Sequence, residues 1–143
     1  MPSRTFGHSA STTARPAAVW EVLQDPETWR DIGPLDEVTA ATSDDDGLTG
    51  FEWSAQAGGR SYRGTAERTG IDPGRRMVLS LDSSEMSGWI RAEVSENHGG
   101  TALTVTMHAR TDGFLASMFW GTIAAALERG LKSQVEALAE RLG

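Results

Sequence analysis

An α+β domain, in which an antiparallel sheet is followed by one long C-terminal helix, is the fold class that the sequence predicts, and three observations predict it. Between Leu35 and Thr111 turn signals recur every eight to twelve residues: SDDDG, GG, DPGR, SSE and HGG. Connections this short join antiparallel neighbours, because a parallel pair needs a crossover of about a dozen residues or more. Residues 114–142 carry an apolar stripe at helical spacing, about 43 Å long at the rise of an α-helix. Finally, 143 residues with 38% hydrophobic content and no cysteine suit a single domain, 1–143, that buries a core without disulfide or metal support.

The elements follow in order. Residues 5–13 alternate weakly, with Phe6, His8, Ala10 and Thr12 on one side, and read as a strand. RPAAVWEVLQ, 15–24, spaces Val19, Val22 and Leu23 helically and starts on Pro16. DPETWRDIG is a second short helix, with Asp25 as cap and Gly33-Pro34 as stop. Six strands then fill 35–111.

Two hairpins fix their own registers. With Gly58-Gly59 as the turn, Ala57 faces Arg60, Ala55 faces Tyr62, Trp53 faces Gly64 and Phe51 faces Ala66. With His98-Gly99 as the turn, Val94 faces Leu103, Ala92 faces Val105 and Ile90 faces Met107, while Arg91 and Glu93 face threonines on the other side. One face of the sheet is dry and one is wet. In the closing helix Trp120, Ala124, Leu127, Leu131, Val135, Leu138 and Leu142 form the stripe. Phe114, Leu115, Met118 and Phe119 are apolar on further faces, so that end must be covered on several sides or border something apolar.

Several function classes are disfavoured. A net charge of −7 with no basic run beyond Arg75-Arg76 argues against nucleic acid. The N-terminus lacks the apolar core of a signal peptide, and the apolar stretch 114–127 is shorter than a membrane span; a soluble, cytoplasmic protein is the expectation. No histidine pair has ligand spacing, and the Asp44-Asp45-Asp46-Gly47 cluster departs from the calcium-loop pattern downstream, so no metal is expected and the cluster reads as a solvated turn. Neither GxGxxG, a P-loop nor GxSxG occurs, and no cofactor is expected.

The order of elements, together with TTARPAAVWEVLQDPETWRDIGP, GIDPGRRMVLSL, GGTALTVTMHA and LKSQVEALAERL, resembles the START-like, Bet v 1-like superfamily that includes polyketide cyclase/dehydrase and lipid-transport proteins. The resemblance implies a helix-grip fold: a curved seven-stranded antiparallel sheet wrapped around the C-terminal helix, with two short helices closing one end. It also implies an apolar cavity between sheet and helix that holds lipids, sterols, polyketides or other aromatic molecules.

Within that frame Phe51, Trp53 and Tyr62 supply ring surface, and Ala55, Gly64 and Ala66 withhold volume. The alternative is that these small residues only let a bent sheet approach the helix. If they open a cavity, Gly64→Leu is tolerated while binding falls. Ile90 and Met107 on the dry face complete the candidate lining. Trp20 and Trp29 match packing aromatics of the family, and Trp120 is either core or ligand contact. Trp89 falls on the wet face.

Arg68 is turned to the dry side if DPGR is a four-residue loop that sets Gly70 opposite Met77, and then needs a carboxylate, carbonyls or a ligand oxygen. A bulge near Gly70 would return it to solvent instead. His8 is either a hydrogen-bonded wall residue or a base. The leading expectation is a carrier of a small hydrophobic, aromatic, polycyclic or lipid-like ligand, bound by Phe51, Trp53, Tyr62, Gly64, Arg68, His8, Ile90, Met107 and Trp120. The alternative is a polyketide aromatase/cyclase in which Arg68 holds an enolate oxygen, Tyr62 donates a proton and His8 exchanges protons. An interaction surface on 114–127 is a third class, disfavoured by the acidic face of that helix. The sequence leaves monomer and homodimer open.

Overall fold

A computed structural model of the chain describes residues 3–32, 35–57, 59–111 and 120–143. Strand β1 (Ser3–Thr12) is followed by helices α1 (Pro16–Val22) and α2 (Pro26–Ile32). Strands β2 (Glu37–Asp44), β3 (Gly47–Ala57), β4 (Arg60–Asp72), β5 (Arg76–Ser83), β6 (Met86–Asn97) and β7 (Gly100–Thr111) come next. Helix α3 (Trp120–Leu142) closes the chain. The expected apolar start of that helix, Phe114 to Phe119, lies outside the described residues.

The seven strands form one antiparallel sheet in the order β1-β7-β6-β5-β4-β3-β2. Both predicted hairpin registers hold: Phe51 pairs with Ala66, Trp53 with Gly64 and Ala55 with Tyr62, and Ile90 pairs with Met107 and Val94 with Leu103. Gly59 adopts φ +77° and Gly99 φ +82°, the left-handed geometry that tight turns require and that glycine adopts without a side-chain penalty.

One register differs from the expectation. Between Arg68 and Gly70 the β4–β5 ladder slips by a residue, so Gly70 pairs with Val78, and Ile71 rather than Gly70 pairs with Met77. The bulge is real, but it lies beyond Arg68, which still pairs with Leu79 on the inner face. Arg68 therefore does not return to solvent.

The short helices are fixed by local bonds. Pro16 stands in the first turn of α1, where its missing N–H costs nothing. The Asp25 carboxylate accepts from the Glu27 amide at 3.0 Å before α2. The Trp29 indole donates to the Leu23 carbonyl at 2.7 Å, which ties α2 to the end of α1.

Helix α3 lies along β1 and β7 on the dry face. Its buried residues Leu131, Val135 and Leu138 join Val19, Leu23, Met77, Leu79, Leu103 and Val105 in one core. On the opposite face Trp89 stacks on His108 at 5.8 Å, and Arg91 lies 5.4 Å over the Trp89 ring.

Candidate functional site

The inner face does not pack solidly along its whole length. Where α2 and the first turns of α3 cross β3 to β7, a cavity of about 170 Å³ remains. Phe51 and Trp53 of β3, Leu79 and Leu81 of β5, Ile90 of β6 and Met107 of β7 form its sheet wall; Trp29, Ile123 and Leu127 close the helical side. Alternation in each strand sends these residues to one face, and the spacing of 123 and 127 sets both on one side of α3.

The wall is apolar almost throughout. His108 borders it, yet its ring is engaged on the wet face, stacked on Trp89 and bonded through Nδ1 to the Thr5 hydroxyl at 2.7 Å. Two tryptophans line the cavity and differ in their polar group. The Trp29 N–H is bonded to Leu23, whereas the buried Trp53 N–H has no hydrogen-bond partner among the described residues.

The structure brings Phe51, Trp53, Ile90 and Met107 together around the cavity, and sets the other candidates apart from its border. Tyr62 is buried opposite Ala55. The Arg68 side chain is only 11% exposed, and its guanidinium is spent inside the protein: it donates to both oxygens of Asp44, at 3.1 and 2.5 Å, and to the Leu48 carbonyl at 3.2 Å. The arginine takes a carboxylate and a backbone carbonyl, two of the alternatives open to an inward guanidinium. This hydrogen bonding by Arg68, with help from the Asp46 and Gly47 amides, holds the Asp44 carboxyl below its usual range. Asp44 in turn raises Arg68 above its usual value. Asp44 thus clasps β4 from the acidic turn while remaining exposed.

His8 bonds through Nε2 to Glu136 at 2.7 Å and joins β1 to α3. Trp120 packs partly buried against the core.

Gly64 serves a different purpose from the one expected. A Cβ there would collide with the Asp82 carbonyl and with the six-membered ring of Trp53, because that ring lies directly on the glycine. The missing side chain is occupied by tryptophan, not by cavity. Gly88 likewise lets strands approach, since a Cβ there would strike the His108 carbonyl. Ala55, Gly88 and Ala109 are small strand residues that do border the space.

Sequence reasoning missed Trp29, Leu79, Leu81, Ile123 and Leu127 as wall residues. Leu79, Leu81 and Leu127 are apolar positions on the correct face and Trp29 a packing aromatic, whereas Ile123 stands outside the stripe read on the closing helix. No local signal separates a residue that meets another side chain from one that meets a void.

A curved antiparallel sheet gripping a C-terminal helix, with an apolar space between them, is the helix-grip fold of START-like proteins. The chain belongs to the polyketide cyclase / dehydrase and lipid transport family, which it matches over residues 4–143. Among solved structures it is similar to the Zhui aromatase/cyclase of a Streptomyces species, with 18% identity, a TM-score of 0.75 and coverage of 98% of this chain and 95% of that one. A START superfamily protein from Mycobacterium smegmatis shares 12% identity at a TM-score of 0.71, over 97% and 99% of the two chains. Ara h 8.0201 shares 12% identity at a TM-score of 0.55, over 94% and 98%. No protein of curated function matches. No described helix is long and apolar enough to cross a membrane.

Proposed function

We propose that the protein binds a small, apolar, ring-containing molecule in the cavity between the sheet and the start of α3, as a carrier or sequestering protein. The observation that carries this reading is the wall itself: apolar side chains from α2, α3 and four strands surround about 170 Å³, and among the described residues no ionisable side chain is turned into it. An apolar cavity of about 150 Å³ accepts a benzene ring. One or two fused rings therefore suit the space better than a long lipid or a sterol.

The aromatase/cyclase alternative asks for acid–base or oxyanion-binding groups beside the substrate. Arg68 is engaged by Asp44 and His8 by Glu136, and neither they nor Tyr62 borders the cavity. The family resemblance supports either reading, and this placement favours the carrier.

Titration with one- and two-ring aromatics, followed by tryptophan fluorescence, tests the proposal, because Trp29 and Trp53 stand in the wall. Saturable quenching or enhancement is expected. Its absence across the panel, together with no retained molecule in native mass spectrometry of freshly purified protein, would overturn it.

A further inference from the structure

Among the described residues that border the cavity, Trp53 alone has a buried side-chain nitrogen or oxygen without a hydrogen-bond partner. A buried N–H without an acceptor is unfavourable, and tryptophans inside proteins ordinarily find one. The same cavity holds the internal comparison: Trp29 donates to Leu23, and Trp53, only 8% exposed, donates to nothing among the described residues. Phenylalanine would supply comparable wall surface without the unpaired group. Packing alone therefore does not account for an indole at this position.

The ring lodges with its N–H edge against a residue that carries no side chain. Gly64 lies against Cε2 and Cζ2, and Cε2 is the ring carbon bonded to Nε1, so the edge that carries the N–H is the one set on the glycine. No side chain at 64 pins that edge, and the ring also borders the cavity. A turn about the Trp53 side-chain bonds would bring that N–H toward the cavity the ring already borders.

We propose that Trp53 is the polar anchor of the cavity: its indole N–H turns inward and donates a hydrogen bond to a carbonyl or ether oxygen on a small ring-containing occupant. The inference rests on the ligand reading above and narrows it to molecules that carry an acceptor. An oxygen donates nothing to the apolar wall and accepts the hydrogen bond that Trp53 leaves unmade.

The test uses a matched pair of two-ring probes, 1-tetralone and tetralin, which differ by the ketone. Affinities are measured by calorimetry for the wild-type chain and for Trp53→Phe. The expected result is roughly five- to tenfold tighter binding of the ketone by wild type, the size of one neutral hydrogen bond, and equal binding of the two probes by Trp53→Phe. In parallel, the indole ¹⁵N–¹H resonance that is missing from the spectrum of Trp53→Phe should move downfield when wild type binds 1-tetralone and not when it binds tetralin. This second measurement stands even if the variant folds poorly. Binding of both probes with the same preference in the variant, or with no movement of that resonance, overturns the anchor and leaves the ligand reading intact. Binding of neither by wild type overturns the anchor, and the ligand reading falls with it only when the wider aromatic panel and native mass spectrometry also find no bound molecule.

Discussion

The two ends of α3 face the same sheet and do opposite things with it. Toward the C-terminus Leu131, Val135 and Leu138 meet a core containing Leu103 and Val105, all at most 2% exposed. Toward the N-terminus Ile123 and Leu127 meet Phe51, Ile90 and Met107 across open space. Both halves are apolar and lie on the same helix, so composition does not distinguish them. The difference lies in how the facing side chains fill the gap. One end supplies cohesion, and the other leaves room for a molecule that the protein does not itself provide.

The largest effect expected from this contrast is at the solid end. Leu131→Ala removes a fully enclosed side chain whose neighbours have no space to adjust, and should cost about 2–5 kcal/mol. Leu127→Ala, beside the cavity, should fall at or below about 2 kcal/mol, because part of its surface already meets space. Urea unfolding of the two variants measures the contrast, and equal losses would erase the distinction between the ends.

Gly64→Leu is next in size. The sequence suggests that this position opens onto a void, but the Trp53 ring occupies it, so the variant must displace both the ring and the Asp82 carbonyl. A loss of about 1–3 kcal/mol is expected in place of tolerance. Thermal melting decides it, and an unchanged midpoint would show that the ring leaves the glycine at little cost.

The smallest effect concerns the Arg68–Asp44 clasp, which stands apart from the cavity. In the folded chain Asp44 is held below its usual pKa, chiefly by Arg68. The stabilisation is therefore fully present above the ordinary carboxylate range and is lost as pH falls through the lowered folded value. Asp44→Asn should flatten that part of the acid limb in a stability–pH profile and change probe affinity less than twofold. A large affinity loss would place the pair in the binding machinery.

What the sequence made legible follows from local constraint. Two-residue turns fix the register of whole strands, so the pairings of Trp53 with Gly64 and of Ile90 with Met107 are readable from the residues alone. The partner of Arg68 was not, because Asp44 stands 24 residues away and reaches it only through the fold of the β2–β3 hairpin. Nor does the Trp53–Gly64 pairing reveal whether the glycine receives a ring or a void, since rotamers decide that. The cavity depends on how α2 and α3 sit over the sheet, so Trp29 and Leu127 read simply as core.

The most direct test of the central claim is to fill the space. Ala55 is half-buried, borders the cavity and shares the inner face with Phe51 and Trp53. Calorimetric titration of wild type and Ala55→Leu with tetralin, together with their melting curves, reads occupancy and stability from the same pair of proteins. Added atoms that enter an existing cavity should leave the midpoint unchanged or raise it, and should weaken binding at least about tenfold, a difference of roughly 1.4 kcal/mol. A variant that keeps wild-type affinity at a full melting temperature would mean that the ligand, if one binds, sits elsewhere.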